Sequence, residues 1–161
     1  MATVHPLPVT NVSGFPTHDI KWQHLTGGPE FDYPIDYWIA ILGGDAEAGK
    51  VDFLVKWEPN AYCHLHKHLG RAQTLVLEGE HHLVETSATE TVHKVRTAGH
   101  VAYSQGGETH MEYGGPQGTV VLFRMEADDG VLFEILDSAN QVIGVATVAD
   151  MVAGKIAAED C

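Results

Sequence analysis

A run of alternating histidines carries the clearest chemistry in the sequence. Residues 62–68 read Tyr-Cys-His-Leu-His-Lys-His, which places His64 and His66 two positions apart. Side chains two apart on a β-strand point to the same face, so these imidazoles can converge on one ion. Histidine is the commonest metal ligand in proteins. The pair predicts two ligands of a mononuclear metal site, although eleven histidines in the chain also allow such a pair to arise by chance on an exposed strand.

His110 is the expected third ligand. It follows Gly107-Glu108-Thr109 and enters a later candidate strand. A β-barrel brings distant strands together across its lumen, so this imidazole can meet the first two. His68 continues the parity of His64 and His66, but a break follows it at once, so its ligation is left as an alternative. The predicted metal ligands are therefore His64, His66 and His110.

Short strands between turn signals are expected to position these histidines. Gly, Pro, Asp, Asn and Ser are concentrated in the breaks, where they supply turn geometry. The predicted strands are 20–25, 37–42, 51–57, 72–77, 81–86, 91–96, 100–103, 109–113, 119–125, 131–136 and 142–145. Many short strands without intervening helical patterns indicate an all-β sandwich or barrel. His81 and His82 are adjacent, so one of them at most can face inward.

The two ends of the chain differ from this pattern. Residues 1–18 contain three prolines and show no periodicity, which predicts an irregular N-terminal arm ahead of one domain at 19–161. Near the other end, Thr147 can cap a short helix whose apolar face carries Val148, Met151, Val152 and Ile156.

Composition excludes several function classes. The net charge is -13 with nine Lys and Arg, which argues against nucleic acid and against an anionic membrane surface. The first residues contain no basic and apolar signal-peptide regions. Cys63 and the terminal Cys161 do not indicate a disulfide framework, so a cytoplasmic location is expected. The remaining expected partners are a small-molecule substrate and a second copy of the chain.

Two stretches resemble the cupin superfamily. From His64 to Gly79 the sequence is similar to the first cupin motif, with a His-x-His pair and a later turn glycine. Gly99, Gln105, Gly107 and His110 match the spacing of the second motif. The resemblance implies a single-domain cupin β-barrel, also called a double-stranded β-helix or jelly roll, with a short C-terminal helix.

One departure from the family narrows the resemblance. Cupins usually supply a glutamate ligand between the His-x-His pair and the turn glycine, whereas here Gln73 is the nearest equivalent. The sequence therefore resembles the three-histidine cupins, among them the acetylacetone-cleaving and dihydroxyacetophenone dioxygenases. The segment 106–110 and the spacing from Gly79 to Glu85 are similar to the latter group. Gln73, Glu85 and Glu108 are the predicted catalytic or ligand-orienting residues.

The three-histidine resemblance implies a metal-dependent dioxygenase. Three neutral imidazoles leave the full charge on a dication, which an anionic chelating substrate would offset. Fe(II) is favoured because it would activate dioxygen, but imidazole also suits Zn, Ni and Cu, and Mn is a further alternative. The expected reaction is C–C cleavage in a small diketone or hydroxy-ketone.

Other functions stay open from the sequence alone. One is a non-catalytic, metal-binding regulatory cupin, and another is a metal-dependent isomerase or lyase. Whether a carboxylate joins the ligands also stays open. A homodimer is expected because an unpaired sheet edge needs covering, and the arm at 1–18 could cover it by strand exchange.

Overall fold

The computed structural model describes residues 11–12, 15–16, 20–29 and 31–155, and nearly all of their regular secondary structure is β-strand. The strands are β1 (Asn11–Val12), β2 (Phe15–Pro16), β3 (Gln23–Thr26), β4 (Asp36–Asp45), β5 (Lys50–Trp57), β6 (His66–His68), β7 (Arg71–Thr86), β8 (Thr91–Thr97), β9 (Val101–Ser104), β10 (Thr109–Glu126), β11 (Val131–Leu136) and β12 (Val142–Thr147). One helix, α1 (Val148–Val152), follows them. The predicted all-β fold with a short C-terminal helix is confirmed.

Strand β10 organises the sheet. Strands β3 to β12 form one ten-stranded sheet, in which β7 pairs with β10 over nearly its whole length. On its other edge, β10 pairs first with β6 and then with β5, always antiparallel. A strand with three partners forces the sheet to curl, and the curl encloses an interior. In the wall of this barrel, the start of β10 lies directly beside β6.

Four of the predicted strands merge into two long ones in the structure. The stretches 72–77 and 81–86 both belong to β7, and 109–113 and 119–125 both belong to β10. Their registers shift between Gly114 and Thr119, as at a β-bulge. Gly79 adopts a φ of 72°, and a Cβ there would collide with the Gly118 carbonyl. These glycines thus let the backbones of β7 and β10 approach each other closely, and they do not end the strands.

Alternation along the strands separates two apolar clusters. The larger fills the barrel interior and includes Phe53, Trp57, Val76 and Phe123, each at most 2% exposed. The smaller lies on the opposite face of β4 and β5, with members Trp22, Trp38, Ala40 and Leu54. The interior cluster is the one that packs around the site below.

The two ends of the domain are partly described. Thr147 caps α1, since its hydroxyl accepts a hydrogen bond from the Asp150 amide at 3.1 Å, as the sequence predicts. Ile156, predicted on the same helical face, lies outside the described residues. Within the predicted arm, β1 and β2 pair as a short antiparallel hairpin, and the rest of the arm lies outside the described residues. None of the helices in the described ranges is long and apolar enough to cross a membrane.

Candidate metal centre

Four buried side chains converge inside the barrel. His66, His68, His110 and Glu112 each offer a ligand atom, and these atoms all lie within 4.8 Å of one another. Each of the four residues is no more than 7% exposed. A His-His-His-Glu cluster of this kind is positioned for metal binding.

Strand parity explains how the cluster forms. His66 and His68 share one face of β6, and His110 and Glu112 share one face of β10. The two strands are antiparallel neighbours, and His110 lies directly opposite His66. Two pairs of alternating residues on adjacent strands thus supply all four ligands.

The spacing of the ligand atoms suits a shared divalent cation better than direct hydrogen bonds among the four side chains. The Nε2 atoms of His66 and His110 lie 3.1 Å apart, and Glu112 Oε2 lies 3.2 Å from the first and 3.6 Å from the second. Both ring nitrogens of His68 are buried without a hydrogen-bond partner among the residues that the structure describes. An unpaired buried polar group costs about 1–3 kcal/mol. A cation bound to His68 would remove that cost.

Two neighbouring groups orient the candidate ligands. His66 Nδ1 donates to the His64 carbonyl oxygen at 2.7 Å, which leaves Nε2 as the nitrogen facing the cluster. His81, fully buried, donates from Nε2 to Glu112 Oε1 at 2.8 Å and stacks on Trp57. His81 is thus the inward member of the His81–His82 pair. It binds Oε1 of Glu112, which leaves Oε2 facing the cluster.

The electrostatics of the cluster favour a cation. Burial acts to raise the pKa of the Glu112 carboxyl, but His110, His66 and His81 outweigh it, so this pKa lies well below its usual value. Burial lowers the pKa of His68, and the positive charges of His66 and His110 lower it further. Burial also acts to lower the pKa of His66, yet Cys63 and Glu112 outweigh it and raise that pKa well above the ordinary value. The cluster therefore presents an ionised carboxylate and at least one neutral imidazole.

His64, one of the three predicted ligands, lies outside the cluster. Its side chain is buried, and its Nδ1 shares a 2.9 Å hydrogen bond with the Tyr37 hydroxyl. The reason is register: β6 begins at His66, so the alternating pair carried by the strand is His66 and His68. The structure brings together two of the three predicted histidines, and it adds His68.

Glu112 corrects the expectation of a site made of histidines alone. The missing carboxylate of the first motif is supplied from β10, two residues after His110. The same parity that paired the histidines could have found it, since residues 110 and 112 share a face of the predicted strand 109–113.

The predicted catalytic residues are divided between the two faces of the sheet. Gln73 faces outward from β7, where its Nε2 donates to the Tyr103 hydroxyl at 3.1 Å, so it does not contact the cluster. Glu85 accepts from Lys94 at 2.7 Å, and Glu108 accepts from the Ser104 hydroxyl. Both carboxylates line a small cavity of about 60 Å³ with a mixed polar and apolar lining, whose wall also includes His68, His110 and Glu112.

A second cavity, largely apolar, lies against the same cluster. Its volume is about 80 Å³, and His66 and Glu112 contribute to its wall. The rest of the wall is mainly aromatic and aliphatic, with Tyr37, Phe53, Trp57, Phe123 and Phe133 among its members. Glu112 lines both cavities, so the cluster borders one cavity of mixed lining and one that is largely apolar.

Sequence comparison places the chain in a family. The model of the ChrR cupin-like domain matches residues 13–128. The chain belongs to that cupin family. No curated protein matches the sequence significantly.

Solved cupin structures share the fold at low sequence identity. An acetylacetone dioxygenase from Acinetobacter johnsonii superimposes with a TM-score of 0.62 and 12% identity, covering 81% of this chain and 83% of its own. An RmlC-like cupin protein from Ralstonia eutropha gives 0.63 at 15% identity, covering 94% and 85%. A cupin 2 conserved barrel domain protein from Rhodopseudomonas palustris gives 0.63 at 10%, covering 83% and 88%. At these identities the likeness is one of fold, and it confirms the predicted cupin resemblance.

Proposed function

We propose that this cupin is a metal-dependent dioxygenase that cleaves a C–C bond in a small diketone or hydroxy-ketone. Its metal, with Fe(II) favoured, would be held by His66, His68, His110 and Glu112. The observation that carries the proposal is the buried cluster lying against an apolar cavity. The shared fold with an acetylacetone dioxygenase supports the reaction class.

The apolar cavity is the proposed substrate site. Its volume of about 80 Å³ and its aromatic wall suit a small substrate with an apolar body. Tyr37 and His64 place a hydrogen-bonded hydroxyl–imidazole pair in that wall, close to His66. In the proposal, this pair orients the oxygen atoms of the substrate while the rings enclose its carbon skeleton and exclude water.

Glu112 changes the charge expected of the substrate. A ferrous ion in the cluster would supply the positions that bind a chelating substrate and activate dioxygen. The ionised Glu112 offsets part of the charge of such a dication, so an anionic substrate is no longer required for neutralisation. His81 keeps Glu112 aimed into the cluster through its hydrogen bond to Oε1. We therefore expect neutral ketones to be accepted as well as enolates.

Oxygen uptake by the iron-loaded protein tests the proposal. Ferrous protein with verified iron content is mixed with a panel of β-diketones and hydroxyacetophenones, and dioxygen and products are followed together. We expect one dioxygen consumed per substrate cleaved, with no uptake by His68→Ala. If iron is present and no member of the panel is turned over, the proposal is wrong. Turnover that persists with zinc and without dioxygen would select an isomerase or lyase instead.

A non-catalytic regulatory cupin is the second candidate, and one feature of the ligand set supports it. Four buried protein ligands are the arrangement of closed structural zinc sites. In this case, removing the metal should change association with another protein or with a second copy of the chain, and no substrate should be turned over. Light scattering with and without metal measures the self-association, and it also tests the proposed homodimer.

A further inference from the structure

A second group of metal-binding side chains lies on the outer face of the sheet. His82 lies on β7, directly opposite Tyr113 of β10. His93 of β8 pairs with Val84, which shares the outward face of β7 with His82. Three adjacent strands therefore bring two imidazoles and a phenol to one patch on the exterior, away from the buried cluster.

The contacts within this outer cluster, formed by Glu80, His82, His93 and Tyr113, are short and convergent. His82 Nδ1 and His93 Nε2 lie 3.0 Å apart, and the Tyr113 hydroxyl also lies 3.0 Å from His93 Nε2. The Tyr113 ring stacks on His82 with ring centroids 4.6 Å apart, which fixes both side chains. His93 Nε2 is thus the meeting point of two potential ligands.

Glu80 decides which nitrogen of His82 is available. Its carboxylate lies 3.0 Å from His82 Nε2, so that nitrogen donates its proton to Glu80. Neutral His82 then carries a lone pair on Nδ1, aimed at His93. A carboxylate behind the far nitrogen is the arrangement that usually orients a metal-binding histidine.

Within the outer cluster, His93 Nε2 is shared between two partners. His93 Nε2 has either one proton or one lone pair, and it faces both His82 Nδ1 and the Tyr113 oxygen. If it is protonated, one proton is divided between two acceptors. If it is not, one lone pair faces the tyrosine proton and a second imidazole nitrogen. A cation at the meeting point would accept a lone pair from each imidazole, and one from the Tyr113 oxygen once the hydroxyl proton is released to solvent.

We propose that the outer cluster is a second divalent-metal site. Its ligands are His82 Nδ1, His93 Nε2 and the Tyr113 oxygen, and water completes the coordination. Two imidazoles and a phenol suit borderline ions such as Zn²⁺ and Cu²⁺. The His93 side chain is exposed, so the ion binds from solvent and links β7, β8 and β10.

Zinc stoichiometry tests the site. Full-length protein is equilibrated with micromolar Zn²⁺ by dialysis, and bound zinc is counted per chain. We expect two ions for the wild type, one for His93→Gln and one for His82→Gln. The matched control is His100→Gln, an exposed histidine in the turn before β9, which should keep both ions. Thermal unfolding of the metal-free variants checks that they remain folded.

A variant of the buried cluster distinguishes the ion bound there from the ion bound at the outer cluster. His68→Ala should lose the interior ion and keep the outer one, whereas His93→Gln should do the reverse. A single ion bound by the wild type, or a second ion that survives both His82→Gln and His93→Gln, would overturn the proposal. Loss of the second ion in His100→Gln would also overturn it, because binding would then be a general property of surface histidines.

Discussion

The inner and outer faces of β7 and β10 carry similar residue types under opposite conditions. His81 and Glu112 face the interior and are no more than 4% exposed. Their immediate neighbours, His82 and Tyr113, face outward and contact the exposed His93. One residue step along each strand separates a buried cluster from a solvent-facing one.

Burial accounts for the difference in what each face can do. Inside, polar atoms depend on one another, because no solvent replaces a lost partner. There the pKa values of His66, His68 and Glu112 are all displaced. Burial sets the direction for His68, whereas neighbouring groups outweigh burial at His66 and Glu112. Outside, water can stand in for any missing ligand. Removing one inner residue should therefore cost far more than removing its outward neighbour.

The largest effect is expected for a direct inner ligand. His68→Ala should weaken metal binding at the buried cluster at least 100-fold, because it removes one of four donors and the neutral imidazole. His64→Ala is the control, since His64 lies outside the cluster and contacts Tyr37. Metal affinity is measured by competition with a chromogenic chelator. Equal losses in both variants would contradict the ligand set given by the structure.

The adjacent histidines His81 and His82 give the sharpest paired comparison. His81→Ala should destabilise the protein by about 2–4 kcal/mol, because it removes packing against Trp57 and leaves Glu112 Oε1 unpaired. It should also weaken metal binding at the buried cluster about 10–100-fold, as loss of an orienting partner does. His82→Ala should cost less, about 0.5–1.5 kcal/mol in metal-free protein, because it removes the stacking on Tyr113 while water can replace its hydrogen bonds.

Denaturant unfolding of both metal-free variants measures the first effect, and metal competition the second. His81→Gln is a useful third variant, because its amide can still donate to Glu112. Partial recovery of metal affinity in His81→Gln would support an orienting role. A large stability loss in His82→Ala, or none in His81→Ala, would reverse the assignment of the two faces.

The fold was predictable because turn residues and strand alternation are local signals. The joining of β7 and of β10 across Gly79 and Gly114 was not, since a glycine at a bulge and a glycine in a turn look alike in sequence. Only the pairing of these long strands, which is a tertiary property, distinguishes the two.

The site was half predictable for a related reason. Parity correctly indicated that alternating histidines converge, and His66 and His110 do lie together. Parity does not say where a strand begins, and β6 spans three residues within a region that otherwise resembles a loop. The predicted pair, His64 and His66, therefore lies one repeat ahead of the pair that β6 brings into the cluster, His66 and His68. Glu112 was missed because the carboxylate was sought only near Gln73.

Proton release on metal binding probes the inner face directly. Because the pKa of His66 is raised well above its ordinary value, its imidazole keeps a proton in metal-free protein at pH values where an ordinary histidine is already neutral. Binding at Nε2 displaces that proton, so affinity should rise with pH through this range. His68, whose pKa is lowered, should contribute none.

Calorimetric titration in buffers of different ionisation enthalpy counts the released protons. We expect release to persist at a pH just above the ordinary histidine pKa of about 6.5, in the wild type and in His93→Gln, since His93 belongs to the outer face. An absence of proton release at this pH would contradict the charge state assigned to His66.

The smallest effect is expected for Gln73, on the outer face of β7. Its side chain contacts the exposed Tyr103 and points away from the cluster, so Gln73→Ala should change stability by no more than about 0.5 kcal/mol. Metal affinity at the buried cluster should be unchanged, because Glu112 supplies the carboxylate that the motif lacks at position 73. Chelator competition and denaturant unfolding measure both quantities. A tenfold loss of metal affinity would mean that β7 reaches the ion from the position the family motif assigns, and that the separation of the two faces is incomplete.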